Sequence, residues 1–346
     1  MINIEKIFKS FEKATNDYDK NFLSKHWAYN YLLKENLFEI NKLENFRNNG
    51  LSNGLESKMR DVDSQLEYYN DLAKIIGKKF IINNLSDNNI GNFKYEHIID
   101  GKILDINELF HIYYLNILNN KILKYQKPEI ICEIGGGYGC FAEKLLKNSK
   151  CKYIMIDLPE ANLLASYYLM KIFPNKKFLL VDDLQNNIID NKKIEDFDII
   201  ILPPWCEFKI KNIDLFINVR SLMEMNSFSI NYYFDLIHKY ISKNGSFLNI
   251  NRYEKDSFET KTKFTNYPYD LKWETVVSNS SWKQKTVHIL LTKRVENENK
   301  SFERKLKDID DYKSFFSYEN FKVTIKRYLP RKIFVFLQYL KNIIFT

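Results

Sequence analysis

From about residue 127 onward, apolar residues cluster in short runs, each bounded by turn-forming residues and separated from the next by a stretch with helical spacing. These runs fall at 130–134, 152–157, 177–181, 197–202, 213–218 and 246–250. Strands alternating with helices predict a parallel sheet wrapped on both faces, since each parallel connection needs a crossover long enough for a helix. That is one strand more than the simplest doubly wound sheet needs. Run 213–218 reads as the fourth strand, because it alone is followed by a helix (229–241) and a Lys243-Asn244-Gly245 turn into the next strand. Run 197–202 then fills the third place or forms an edge pair with 177–181. Two last runs, 273–277 and 287–291, read as an antiparallel pair closing the sheet. Before residue 126 the spacing is helical instead, in Ile4-Phe8-Phe11 and in Leu109-Phe110-Tyr113-Leu115-Leu118. The expected organisation is a helical cap at 1–125, with lid candidates at 48–54 and 83–92, an α/β core at 126–294 and a tail at 295–346.

Composition sharpens this picture at one place. The chain has 346 residues and ten glycines, and four of the ten lie within Gly135-Gly136-Gly137-Tyr138-Gly139, directly after the first strand and before a helix. A bare-backbone turn there lets a ligand lie against the main chain. As a dinucleotide fingerprint G-x-G-x-x-G, the third glycine position is Cys140, which fits poorly. As acid-x-G-x-G-x-G, Glu133, Gly135, Gly137 and Gly139 all match. This is the pattern of the class I methyltransferases, whose glycine turn packs against the amino-acid part of S-adenosylmethionine. Asp157 closes the second strand eighteen residues beyond Gly139. A carboxylate at that place can accept both hydroxyls of a ribose, or it can cap the helix that opens at Leu158-Pro159-Glu160.

At 133–139, at Ile156-Asp157-Leu158-Pro159-Glu160, at 218–225 and at Asn249-Ile250-Asn251-Arg252, with a weaker likeness at Asn45-Phe46-Arg47, the sequence resembles the sugar O-methyltransferases of bacterial glycan and antibiotic gene clusters. The resemblance implies a Rossmann-like fold, S-adenosylmethionine as cofactor and a sugar or glycan precursor as acceptor. Its cofactor residues are Glu133, Gly135, Gly136, Gly137, Tyr138, Gly139, Asp157, Leu158 and Asn218; Asp182 and Asp183, which follow a strand, compete with Leu202-Pro203-Pro204-Trp205 for the adenine. Arg220, Ser221, Asn251 and Arg252 are the expected acceptor side, with Arg220 suited to an anionic sugar or phosphate.

Methyl transfer to a hydroxyl needs aligned reactants and a base, since a sugar hydroxyl ionises far above pH 7. Glu224 falls where related small-molecule O-methyltransferases place a catalytic histidine; its plain alternative is an ion pair with Arg220. His111, on the helix before the first strand, is the second candidate. His238 and His288 read as structural, and His26 and His97 have no interpretable context. Trp205, Trp273 and Trp282 could each stack on a sugar, although core packing is the commoner role. No side-chain cluster has metal spacing, which leaves a divalent ion such as Mg²⁺ open as an auxiliary without a motif.

The net charge of +8 is spread through a chain rich in Lys, Asn and Ile and does not argue for nucleic acid. Four cysteines without C-x-x-C spacing read as small buried hydrophobes, not a disulfide or zinc framework. With no span-length apolar run and no signal-peptide core, the expected location is cytoplasmic. Residues 321–346 are basic and amphipathic. They read as a helix packed on the N-terminal region, as a contact with another protein, or as a peripheral anchor on the inner face of the membrane. Two other functions stay in view: a non-catalytic methyltransferase-like subunit of a glycan assembly complex, and a nicotinamide-dependent sugar-modifying enzyme.

Overall fold

The computed structural model describes residues 3–30, 39–48, 62–94, 97–257 and 260–309. At its centre is an eight-stranded sheet. In chain order its strands are β1 (Ile130–Ile134), β2 (Lys152–Ile156), β3 (Phe178–Leu180), β4 (Ile199–Leu202), β5 (Ile213–Val219), β6 (Ile241–Arg252), β7 (Trp273–Ser281) and β8 (Gln284–Arg294). Across the sheet they lie in the order β7-β8-β6-β5-β1-β2-β4-β3. The stretch from β6 to β3 is parallel, while β8 runs antiparallel to β6 and β7 antiparallel to β8. The mixed α/β class and the closing antiparallel pair are as the sequence predicts. Both alternatives for 197–202 hold together: β4 takes the place beside β2 and also pairs with the edge strand β3.

The helices are α1 (Ile4–Asn16), α2 (Lys25–Asn30), α3 (Ile40–Glu44), α4 (Val62–Ile76), α5 (Lys78–Asn84), α6 (Ile106–Leu118), α7 (Cys140–Asn148), α8 (Pro159–Ile172), α9 (Asn191–Glu195), α10 (Ser227–Tyr240) and α11 (Lys300–Asp308). All five residues of β1 are buried, as in a strand covered on both sides. Side chains alternate across a strand, so the two faces separate cleanly. Ile131, Tyr153 and Met155 pack with Phe110 of α6, Phe141 of α7 and Leu169 of α8. Cys132, Ile134, Ile154 and Ile156 pack with Phe234 and Ile237 of α10 on the other face. Cys132, Cys140 and Cys206 are buried free thiols, consistent with their reading as small hydrophobes.

The N-terminal helices dock onto this core. α1 buries Ile7, Phe11 and Ala14 and packs along α8. Lys6 pairs with Asp183 at 2.8 Å, and Lys13 Nζ donates to the carbonyls of Val181 and Leu184. α6 is tied to α7 by a buried ionic cluster. There Lys144 Nζ reaches Glu108 Oε2 at 2.8 Å, Glu143 Oε2 at 3.0 Å and Ser86 Oγ at 2.7 Å, and the lysine side chain is wholly buried. Among the described residues no helix is long and apolar enough to cross a membrane. The tail 321–346 and residues 49–54 of the first lid candidate lie outside the described residues.

Candidate functional site

The carboxyl ends of β1, β2 and β5 open into one cavity, at the sheet edge where open α/β folds bind ligands. Its floor is the glycine turn. Gly135 sits at φ 72°, and a Cβ there would lie 2.0 Å from Ser221 Oγ, so no larger residue fits without moving the β5 loop. Gly139 caps α7 at φ 93°, and a Cβ there would press on the Leu169 side chain. The turn is fixed to β2 by the Gly135 N–H bond to the Ile156 carbonyl. Gly135, Gly136, Gly137 and Tyr138 border the cavity, whereas Gly139 shapes the turn from behind.

Asp157 faces the same cavity from the end of β2. Its Oδ2 accepts the Gly137 N–H and its Oδ1 the Leu158 N–H, both at 2.8 Å. The helix cap is Leu158, with Pro159 in the first turn, so Asp157 orders the glycine turn and is not the N-cap. Burial pushes its carboxyl up to about 7 against these two bonds. Each oxygen keeps a second lone pair for a ligand hydroxyl. Glu133 lies deeper and accepts the Tyr153 hydroxyl at 2.6 Å; burial pushes it up to about 7 as well.

The loop after β5 forms the opposite wall with Val219, Arg220, Ser221, Met223, Glu224 and Met225. Arg220 adopts φ 62°, a left-handed conformation that costs a non-glycine residue free energy and clusters at functional sites. Glu224 is paired with Lys255, which enters from the short strand after β6. His26 Nε2 stands 3.5 Å from the other carboxylate oxygen, so this histidine acquires a context that the sequence did not reveal. Burial lowers the His26 imidazole and likewise the Lys255 ammonium, with Glu224 opposing both shifts.

α6 supplies the third wall, through Asn107 and His111 one turn apart. His111 Nδ1 contacts Cys140 Sγ at 3.2 Å and its ring stacks on Phe141. Burial, with the charges of Lys144 and Arg220, drives this imidazole down to about 3. Phe22, Trp27 and Tyr233 add an aromatic side, and Ser229 brings a buried hydroxyl with no hydrogen-bond partner among the described residues.

Several expected site residues lie elsewhere. Asp182 and Asp183 pair with Lys9 and Lys6 of α1, and Asp183 also accepts the Leu180 N–H, so they act in docking α1 and not at the cavity. Asn218 and Asn251 are fully buried and joined to each other, because the polar ends of β5 and β6 must satisfy themselves where water is excluded. Asn218 Nδ2 donates to the Ile134 carbonyl, and Asn251 Oδ1 accepts the Met223 N–H. Arg252 sits beyond the cavity rim, its backbone N–H on Met223 Sδ. In the Leu202-Pro203-Pro204-Trp205 segment, Trp205 packs against the rings of Tyr18 and Phe22 and does not border the cavity, and Trp273 and Trp282 are packed among other side chains. Among the described residues no three His, Cys, Asp or Glu side chains gather as a metal site.

Asn107, Ser229, Tyr233, Phe22 and Trp27 were missed by sequence reasoning. Helix phase alone would have found one of them, since Asn107 is one turn from His111.

No protein-family description and no curated protein matches this chain. Among solved structures, 412 chains are similar to it. One is a 1,6-didemethyltoxoflavin-N1-methyltransferase from Burkholderia thailandensis with bound S-adenosylhomocysteine, at 11% identity and a TM-score of 0.37, covering 70% of this chain and 93% of that one. Another is the N-methyltransferase NodS from Bradyrhizobium japonicum, at 13% identity and a TM-score of 0.33, covering 54% of this chain and 97% of that one. A third is coclaurine N-methyltransferase bound to N-methylheliamine and S-adenosylhomocysteine, at 13% identity and a TM-score of 0.28, covering 66% and 63%.

Proposed function

We propose that this chain is an S-adenosylmethionine-dependent methyltransferase whose acceptor is a sugar hydroxyl of a bacterial glycan or its nucleotide- or lipid-linked precursor. The observation that carries the cofactor reading is the bond from Gly137 N–H to Asp157 Oδ2. It makes a bare-backbone turn and a ribose-type carboxylate one rigid unit on one side of the cavity. The residues fit the cofactor: Gly135, Gly136 and Gly137 present bare backbone along the cavity for its amino-acid part, and Asp157 retains acceptor capacity for its ribose. When bound, S-adenosylmethionine supplies a methyl group on a positively charged sulfur. The chain's own work is then to hold the acceptor in line, exclude water and take a proton. Glu224 is the favoured base. Glu224 borders the cavity and is held in place by Lys255, whereas the half-buried His111 is held down to about 3 and is only weakly basic. The sugar acceptor rests on the sequence resemblance, and Arg220 at the mouth of β5 suits an anionic one. Titration calorimetry with S-adenosylmethionine, S-adenosylhomocysteine and NAD tests the reading: the first two should bind and the third should not. Binding of NAD alone would replace it with a nicotinamide-dependent enzyme.

A further inference from the structure

Of the chain's four tryptophans, three are packed away: Trp205 against Tyr18 and Phe22, Trp273 wholly buried, and Trp282 among Tyr68, Phe110 and Tyr113. The fourth, Trp27, is half-buried and borders the cavity. Its place is fixed by the start of α2, where the Trp27 N–H reaches the Ser24 carbonyl at 3.0 Å, and Ser24 borders the same cavity. Among the described residues its one ring contact is with His26, at 5.4 Å between centroids and 85° between planes. No ring therefore lies flat against the indole, and at most one of its two faces is taken. His26 in turn stands with Nε2 3.5 Å from Glu224 Oε2, so one side chain separates Trp27 from the favoured base.

A flat aromatic ring beside a carboxylate base suits a sugar. A pyranose presents on one face several C–H bonds, weakly positive, which pack on the negative face of an aromatic ring, while its hydroxyls radiate from the rim. We infer, resting on the function proposed above, that Trp27 is the platform on which the acceptor's sugar ring stacks, with a rim hydroxyl brought to Glu224. The N-terminal helical region then selects the acceptor, through a residue that the other three tryptophans obscure in the sequence.

The cofactor offers the indole two other partners, its adenine and its sulfonium, and the test separates them. Affinities of the full chain for S-adenosylmethionine and S-adenosylhomocysteine are read by titration calorimetry. Transfer of labelled methyl is followed against the concentration of a glycan extract from cells lacking this gene. In Trp27→Ala both affinities should stay within about twofold, while the extract concentration for half-maximal transfer should rise about 3- to 10-fold, the scale of one aromatic contact. Trp27→Phe keeps a smaller aromatic face and should recover part of that loss. Saturation-transfer NMR reads the contact without turnover: with S-adenosylhomocysteine present, ring C–H signals of the methyl glycosides released from the extract by methanolysis should appear with the unaltered protein and fade in Trp27→Ala. Weaker binding of both cofactor forms in Trp27→Ala would assign the indole to adenine, and weaker binding of S-adenosylmethionine alone would assign it to the sulfonium; either overturns the inference, as does an unchanged half-maximal concentration. An unaltered protein that binds S-adenosylhomocysteine but neither methylates the extract nor contacts its glycosides removes the sugar acceptor itself, a separate outcome. If Trp27→Ala does not fold, Trp27→Phe carries the comparison, with a smaller rise in the same direction and unchanged cofactor affinities.

Discussion

Replacing Lys144 by Met removes the one cation that two buried carboxylates share. Its Nζ lies within 3.0 Å of Glu108 Oε2 and Glu143 Oε2, and it also donates to Ser86 Oγ. Lys144 and Glu143 are fully buried and Glu108 nearly so. After the substitution both carboxylates point at a methyl thioether, and among the described residues only Lys147, at the rim, still neutralises Glu143. Breaking a buried pair in this way costs about 3–5 kcal/mol, a large part of a typical total of about 5–15. The direction of the pH dependence follows from Glu143. Burial alone would raise its carboxyl, but Lys144 and then Lys147 outweigh it and hold the group down at about 2. Because the folded value is depressed, that stability is present above about pH 4.5 and is lost as pH falls toward 2. In Lys144→Met the carboxylates gain by protonation instead, so the gap between the two proteins should be widest near pH 7 and should narrow on acidification. Urea unfolding at pH 7 and at pH 4, followed by far-UV circular dichroism, measures both. A loss below about 1 kcal/mol at pH 7, or a gap that does not change with pH, would refute the reasoning.

Two further outcomes concern the cavity. Asp157→Ala should cost about 10-fold or more in S-adenosylhomocysteine affinity, the 1.5–3 kcal/mol of hydrogen bonds to a charged group. Ligand hydroxyls favour the charged carboxylate, which lies at about 7 in the free protein. Wild-type affinity should therefore be highest above pH 7 and decline below it, and in Asp157→Asn that share of the slope should vanish; a pH-independent wild type would count against the ribose role. Glu224→Gln should retain cofactor affinity while methyl transfer to a glycan extract falls by about 10² to 10⁴. Near-normal turnover in Glu224→Gln with an inactive but cofactor-binding His111→Ala would move the base to α6, and activity in both would point to a metal-assisted route open to a chelator test.

The sequence exposes the sheet well because its strands are short apolar runs between turn signals, so even the surplus strand at 199–202 could be placed next to one of two neighbours. The glycine turn and Asp157 were legible for a similar reason: bare backbone and a strand-end carboxylate have few other uses. Asn218 and Asn251 misled because amides at strand ends serve equally to bind a ligand or to satisfy one another, and only the three-dimensional register of β5 against β6 decides. Asp182 and Asp183 failed on a long-range contact, since their partners Lys6 and Lys9 lie more than 170 residues earlier. The pairing of Glu224 with Lys255 and His26 was hidden in the same way: it joins three segments that no local pattern relates.

The docking of α1 on α8 also sets an order of events during synthesis. Residues 4–16 carry an apolar stripe whose resting place is built from residues 159–172 and 181–184. At about 5–20 residues per second, the ribosome delivers that surface roughly ten to thirty seconds after the stripe has emerged. For that interval a nascent chain presents Ile7 and Phe11 to whatever is nearby, and α1 waits for α8 before it finds its seat.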